Sequence, residues 1–346
     1  MDRVYLDWNA TAPLRAEARA AMVAALDVVG NPSSVHAEGR AARGIVERAR
    51  AQVAGLVGCN PAEVVFTSGA TESARVLDHF SVTAQTTAHD AVFAYEGAGS
   101  DVFALGLANS ETGVITEPPE KTENGWPCHA RFAQRLLIDA TQAVGRIAWS
   151  FAWSGADFAI LSAHKLGGPK GVGALIVRQG VDIEALQYGG GQELGRRSGT
   201  ENVAGIAGFG AACVAAQAEL DAGIWLEVEK LRNILENALA SDAKETIFVG
   251  KESSRLPNTS CFVTPGWKGE TQVMQMDLAG FAVSSGSACS SGKVKQPRVL
   301  NAMGLTPAAA ESALRVSMGP TTTEDEIMRF ADVWLKHEKK FRQRVA

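Results

Sequence analysis

Short unbroken apolar runs at 63–66, 102–107, 135–139, 157–161 and 173–177 alternate with segments of helical spacing over the first two-thirds of this chain. Runs of that length suit strands covered on both faces, as in a parallel sheet. Between the strand-like runs, the segment 35–57 follows the turn Pro32-Ser33-Ser34. It sets Ile45, Ala49, Val53 and Leu56 three and four residues apart, on one face of a helix. The alternation predicts an α/β layer structure around a mainly parallel sheet. From residue 220 the style changes: Ile224, Val228, Leu231, Leu235 and Leu239 recur along a charged helix, and a second domain is expected there.

The 346 residues are 46% hydrophobic, enough for a large core with a smaller appended domain and too apolar for disorder. A net charge of -5 with no long Lys/Arg run gives a nucleic-acid groove no support. No apolar stretch of about 18 residues is free of charges and turn residues, so no membrane span is expected. The N-terminus lacks the basic-then-apolar order of a signal peptide, and a cytoplasmic location is expected.

The 5 cysteines, Cys59, Cys128, Cys213, Cys261 and Cys289, form no C-x-x-C pair, which argues against a disulfide framework or a structural metal site. The 35 glycines gather near Gly69, around Gly167 to Gly173, from Gly189 to Gly199, and at Gly286 and Gly292. Such clusters mark tight turns and close backbone approach, the pattern of a site built from several loops.

Three stretches carry chemistry. In Thr67-Ser68-Gly69-Ala70-Thr71 a strand runs into a small-residue turn, either an ordinary capped turn or a cradle of N–H groups for a phosphate. Asp139 ends an apolar run beside Thr141 and Gln142, as a strand-end cap or as the partner of a cation. Lys165 follows another apolar run, with Ser162 and His164 before it and a glycine-proline turn after it. It is either a solvated strand-end charge or an amine in a partly desolvated site, where its pKa falls and it becomes nucleophilic. Together, phosphate turn, buried aspartate and strand-end lysine describe a pyridoxal phosphate site: Lys165 as Schiff base, Asp139 on the pyridinium nitrogen, the glycine turn on the phosphate.

Cys289 lies in Ser284-Ser-Gly-Ser-Ala-Cys-Ser-Ser-Gly292, small residues that supply little core, so the thiol reads as reactive rather than structural.

These residues occur in order with Tyr5-Leu-Asp7, Asn9-Ala-Thr11, Asn31-Pro-Ser-Ser34, Asn109-Ser-Glu-Thr-Gly-Val-Ile115, Arg197-Ser-Gly-Thr-Glu-Asn202 and Leu314-Arg-Val-Ser317. Over nearly its whole length the chain resembles the cysteine desulfurases of the class V aminotransferase group, pyridoxal phosphate enzymes of fold type I. The resemblance implies a large cofactor-binding domain over 12–219, and a small α+β domain from 1–11 and 220–346 that carries the cysteine loop.

It implies that Gln142 meets the ring hydroxyl, and that Ser162, His164, Ala70 and Thr71 hold the phosphate, with Thr200 arriving from the second subunit of a homodimer. His89 is implied as the ring-stacking histidine, Asn109 as a neighbour of the cofactor, and Asn31 and Arg315 as ligands of the substrate carboxylate. It implies removal of sulfur from L-cysteine to give alanine and a persulfide on Cys289. The sulfur would pass to an acceptor or iron–sulfur scaffold protein.

The interval from Ser73 to Asn109 is shorter than in such enzymes. Glu96-Gly-Ala-Gly-Ser100 is the expected shortcut there, and the expected consequences are a differently placed stacking histidine and a sheet edge that is exposed or leans on a partner. A selenocysteine lyase, another class V enzyme and a non-enzymatic sulfur-assembly scaffold are the alternatives that the residues leave open.

Overall fold

The computed structural model describes residues 3–285 and 297–345. They form two compact units, a larger one of Ala12–Ala108 and Thr116–Ala222 and a smaller one of Met1–Thr11, Asn109–Ile115 and Gly223–Ala346.

The larger unit is built on a six-stranded sheet. Its strands are β1 (Val64–Thr67), β2 (Val82–Ala84), β3 (Val102–Gly106), β4 (Arg135–Asp139), β5 (Phe158–Ser162) and β6 (Gly173–Val177). They are ordered β1-β6-β5-β4-β3-β2. The pairs β2/β3, β3/β4 and β4/β5 are parallel, whereas β6 runs antiparallel to both its neighbours. The apolar runs read from the sequence are five of these strands, and residues such as Leu136, Leu137, Ile138, Ile160 and Leu175 are fully buried.

Helices cover the sheet: α1 (Ala16–Leu26), α2 (Ala37–Val57) and α3 (Val203–Asp221). The ring of His36 accepts the Gly39 N–H at 3.3 Å and starts α2, and Gly58, at φ 64°, ends it. Among the described residues α3 is the one helix long and apolar enough to cross a membrane, and half of that stretch is buried within the protein. Glycine explains its packing on α1 and α2. A Cβ at Gly210 would come within 2.7 Å of Ala49 Cα, and one at Gly208 within 2.6 Å of Met22.

The outer edge of β2 is closed by the chain's own shortcut. Val82 C=O takes the Gly97 N–H at 3.0 Å, and the Ala84 N–H is bonded by the Glu96 carboxylate. Thr83 donates its hydroxyl to Gly99 C=O at 2.7 Å. The edge expected to be exposed or to lean on a partner is instead capped from within the chain, because one side chain and a glycine-rich turn bond Ala84 N–H and Val82 C=O where a neighbouring strand would pair.

In the smaller unit, β7 (Ile247–Phe248), β8 (Thr259–Val263), β9 (Ser284–Ser285) and β10 (Ala313–Ser317) form an antiparallel sheet ordered β7-β8-β10-β9. It packs with α4 (Ile224–Asp242) and α5 (Glu324–Val345). Trp334 of α5 meets Phe262 edge-on at 5.3 Å between ring centroids and donates its Nε1–H to Gln272 at 3.0 Å. The segment Asn109–Ile115 joins this unit through Ile115 N–H to Ser254 C=O at 2.8 Å and Leu256 N–H to Gly113 C=O at 2.7 Å.

Candidate functional site

Two antiparallel steps in succession make β1 point the same way as β2 through β5, so five strands deliver their C-terminal ends to one edge of the large-unit sheet. In open α/β sheets that edge is where ligands bind. It collects Ala70 and Thr71 after β1, His89 after β2, Asp139 and Gln142 at the end of β4, and Ser162, His164 and Lys165 at the end of β5.

The register brings the phosphate turn to Ser162. Thr67 and Ser162 both pair with Gly173, one from each side. A Cβ on Gly173 would meet Gly69 Cα at 2.6 Å, so only glycine allows this approach. One built on Gly69 would lie 3.7 Å from Ser162 Oγ, so the turn and the hydroxyl face each other. Inside the turn, Thr67 Oγ1 and Ser73 Oγ are 2.8 Å apart, and the Glu72 carboxylate accepts the Ser68 N–H at 2.7 Å.

Asp139 is 9% exposed, and Oδ1 accepts the Thr141 N–H at 3.0 Å. Oδ2 takes no hydrogen bond from the described residues. A carboxylate this buried is stabilised by a further donor, which a protonated ring nitrogen would supply.

Gln142 is buried beside it and accepts from Arg146 Nη1 at 2.6 Å. His164 is depressed from its usual range to about 4, first by burial and then by the charges of Lys165, Lys170 and Arg146. Its imidazole is neutral at neutral pH, in surroundings that favour an anion.

Other residues singled out in the sequence stand apart. His89 is exposed and caps the short helix Asp90–Phe93, its Nδ1 accepting the Ala91 N–H at 3.1 Å, so the ring proton lies on Nε2. Thr200 is exposed and lines a recess of about 100 Å³ with Thr67, Ser68 and Arg197. Asn31 is exposed, and its Oδ1 accepts the Ser33 N–H at 2.9 Å.

Asn109 and Arg315 belong to the smaller unit. Asn109 Oδ1 shapes its own turn by accepting the Glu111 and Thr112 N–H groups, each at 2.9 Å. Arg315, 1% exposed, holds Asp7 Oδ1 at 2.8 Å and Ser110 C=O at 2.9 Å. A substrate carboxylate at Arg315 would share the guanidinium with Asp7. Cys289 lies outside the described residues. The four described thiols are all shifted upward by burial, Cys59 and Cys261 to about 12, and are inert as nucleophiles at neutral pH.

The sequence reading missed several charged residues. Arg50 and Glu193 form a bidentate pair at 2.7 and 2.8 Å, and Glu193 also takes the Phe66 N–H at 2.9 Å. This pair anchors the loop before Thr200, where Glu193 and Leu194 hold φ values of 51° and 58° that non-glycine residues rarely adopt. The positive charge of Arg146 inside an apolar turn was the available signal for its role.

The aminotransferase class-V family model matches residues 4–136 and 77–330. A cysteine desulfurase of Cereibacter sphaeroides is 37% identical over 96% of this chain and 95% of its own length. The chain belongs to the cysteine desulfurases of the class-V aminotransferase family. A further relative, cysteine desulfurase IscS of Dictyoglomus turgidum, is 34% identical over 98% of the chain and 95% of its own length. The NifS-like protein from Rickettsia africae superposes with a TM-score of 0.85 at 27% identity, over 96% of this chain and 99% of that one. The desulfurase fold, fold type I, is thus the architecture described above.

Proposed function

We propose that the protein is a pyridoxal-phosphate-dependent cysteine desulfurase that moves sulfur from L-cysteine onto Cys289 and releases alanine. The observation that carries this reading is the uncommitted oxygen of buried Asp139 on the edge that also bears Lys165, Gln142 and the Gly69–Ser162 cradle.

The donor set fits the cofactor. Lys165 would hold it covalently, Asp139 would pair with the ring nitrogen, and Gln142 would donate to the ring hydroxyl. Ser162, His164 and the Ala70–Thr71 turn would bind the phosphate, joined by Thr200 of a second subunit in a homodimer. When bound, the cofactor supplies an electron sink that makes the substrate α-carbanion accessible.

The chain's own groups do the rest. Lys165 Nζ would take the α-proton and hold it for return. His89 would stack on the cofactor and, through its Nε2, assist proton movement. Arg315 and Asn31 orient the substrate carboxylate. The Cys289 thiolate attacks the substrate sulfur: an S–S bond forms as the C–S bond breaks, and its electron pair stays with the three-carbon remainder, which is protonated and leaves as alanine. The persulfide sulfur then goes to an acceptor, such as a scaffold protein of iron–sulfur assembly.

Incubating the purified protein with pyridoxal phosphate and L-cysteine, and measuring alanine, sulfide and the site of any persulfide by mass spectrometry, tests the proposal. Alanine formed with a persulfide on Cys289 supports it. A Cys289→Ala variant that makes alanine at the wild-type rate overturns it.

A further inference from the structure

The turn that carries Lys165 has four successive carbonyls, and each is caught by a donor from elsewhere in the large unit. His164 C=O takes the Ala12 N–H at 2.9 Å and Gly167 C=O takes the Arg15 N–H at 2.9 Å. Leu166 C=O takes Arg15 Nε at 2.7 Å, and Lys165 C=O takes Arg146 Nη2 at 3.0 Å. Arg15 also pairs with Glu219, away from the lysine, whereas the second engagement of Arg146 is with a residue at the site. Arg146 Nη1 is 2.6 Å from Gln142 Oε1, so one guanidinium spans the lysine's main chain and the glutamine's side chain. The residue is 2% exposed.

We infer that Arg146 is a positioning residue: it fixes which end of the Gln142 amide is presented and holds the main chain at Lys165. An amide has an acceptor end and a donor end. Guanidinium offers donors only, so the oxygen turns toward Arg146; the reverse orientation would set N–H against N–H in a buried place. The Nε2 end of the amide is thereby the one turned away from Arg146, and its N–H groups suit the anionic ring oxygen of the proposed cofactor. The planar fork places both Arg146 N–H groups in fixed relation, so the amide and the lysine are set against each other by a single rigid group.

The inference rests on the cofactor reading above, and one titration series separates the two. Pyridoxal phosphate is added to apo wild type, Arg146→Met, Gln142→Ala, the double variant and Arg146→Lys. Affinity and the pH midpoint of the lysine–cofactor absorption band are read for each.

Arg146→Met and Gln142→Ala are each expected to weaken binding about tenfold. Each is expected to raise the midpoint by about one unit, because losing a nearby cation or a donor to the ring oxygen favours the protonated form. The double variant is expected to fall short of the sum of the two single effects, since Arg146 acts in part through Gln142. Arg146→Lys, which keeps the charge and several N–H donors, is expected to recover most of both quantities.

Wild-type affinity and midpoint in Arg146→Met, or full additivity in the double variant, overturn the inference. A wild type that stays colourless overturns the cofactor reading, and this inference with it. Should Arg146→Met not fold, Arg146→Gln enters the same cycle, its shorter amide reaching one partner at most.

Discussion

Arg197 holds Glu72 across the larger unit, with Nε 2.9 Å from Oε1, while Glu72 Oε2 takes the Ser68 N–H at 2.7 Å. The contact ties the loop that carries Thr200 to the turn that carries Thr71. Burial pushes the Glu72 carboxyl up, but hydrogen bonds from Arg197 and Ser68 outweigh it, and the group sits below its ordinary range.

A depressed carboxyl contributes stability that is present above its unfolded value, about 4.3, and is lost as pH falls through the folded value. Glu72→Gln is therefore expected to cost about 1 kcal/mol at neutral pH. The gap to wild type should close in acid. Chemical denaturation across a pH series measures both, and a gap that persists in acid would contradict the charge argument.

His164 follows the same linkage with the same sign, by a different cause. With a folded value of about 4 against about 6.5 unfolded, the unfolded chain takes up the proton first, so stability declines as pH falls between these values and levels off below them. His164→Gln should remove that slope. Ring resonances should titrate near 4 in the apo protein and higher with pyridoxal phosphate, whose phosphate would offset Lys165, Lys170 and Arg146. An unchanged midpoint on cofactor addition would place the phosphate elsewhere.

Thiol chemistry should separate Cys289 from the rest. Cys128, Cys213 and Cys261 are buried, Cys59 is half-buried, and all four are pushed upward by burial. Alkylation of the native protein at neutral pH, followed by peptide mass spectrometry, should modify Cys289 at least about tenfold faster than any of them. A comparable rate at Cys59 would remove the distinction.

The closed edge of β2 predicts an exchange pattern. Glu96→Ala removes the carboxylate that bonds the Ala84 N–H. Hydrogen–deuterium exchange should then accelerate at Ala84, while the amides of β4 and β5 in the sheet interior stay protected. Equal acceleration in both places would mean that Glu96 supports the whole sheet rather than its border.

The sheet was legible in the sequence because its inner strands are covered on both faces and so read as unbroken apolar runs. β2 was not, since Val82-Thr83-Ala84 is too short to form a run and owes its place to β3 and to Glu96. Helix α3 was also passed over. Its glycines lower helix propensity, and tight packing on Ala49 and Met22 outweighs that loss.

At the site, Asp139 and Lys165 were readable because a charge closing an apolar run is conspicuous. Arg146 and Glu193 were not, because what a buried charge does depends on its partners: Glu193 pairs with Arg50, 143 positions away in the chain. Arg315 was assigned to substrate from the resemblance, and its bond to Asp7 depends on a residue 308 positions distant.

The Glu96 closure bears on how this molecule behaves among copies of itself. A border strand with open N–H and C=O groups is a template onto which another chain can add. Here one border donor, the Ala84 N–H, is held by a carboxylate and one border acceptor, the Val82 C=O, by a glycine turn, within a strand of three residues. A sheet that ends this way cannot be lengthened by a foreign strand without first breaking a charged hydrogen bond. That border thereby has a guard against edge-to-edge polymerisation, even though no further strand covers it among the described residues.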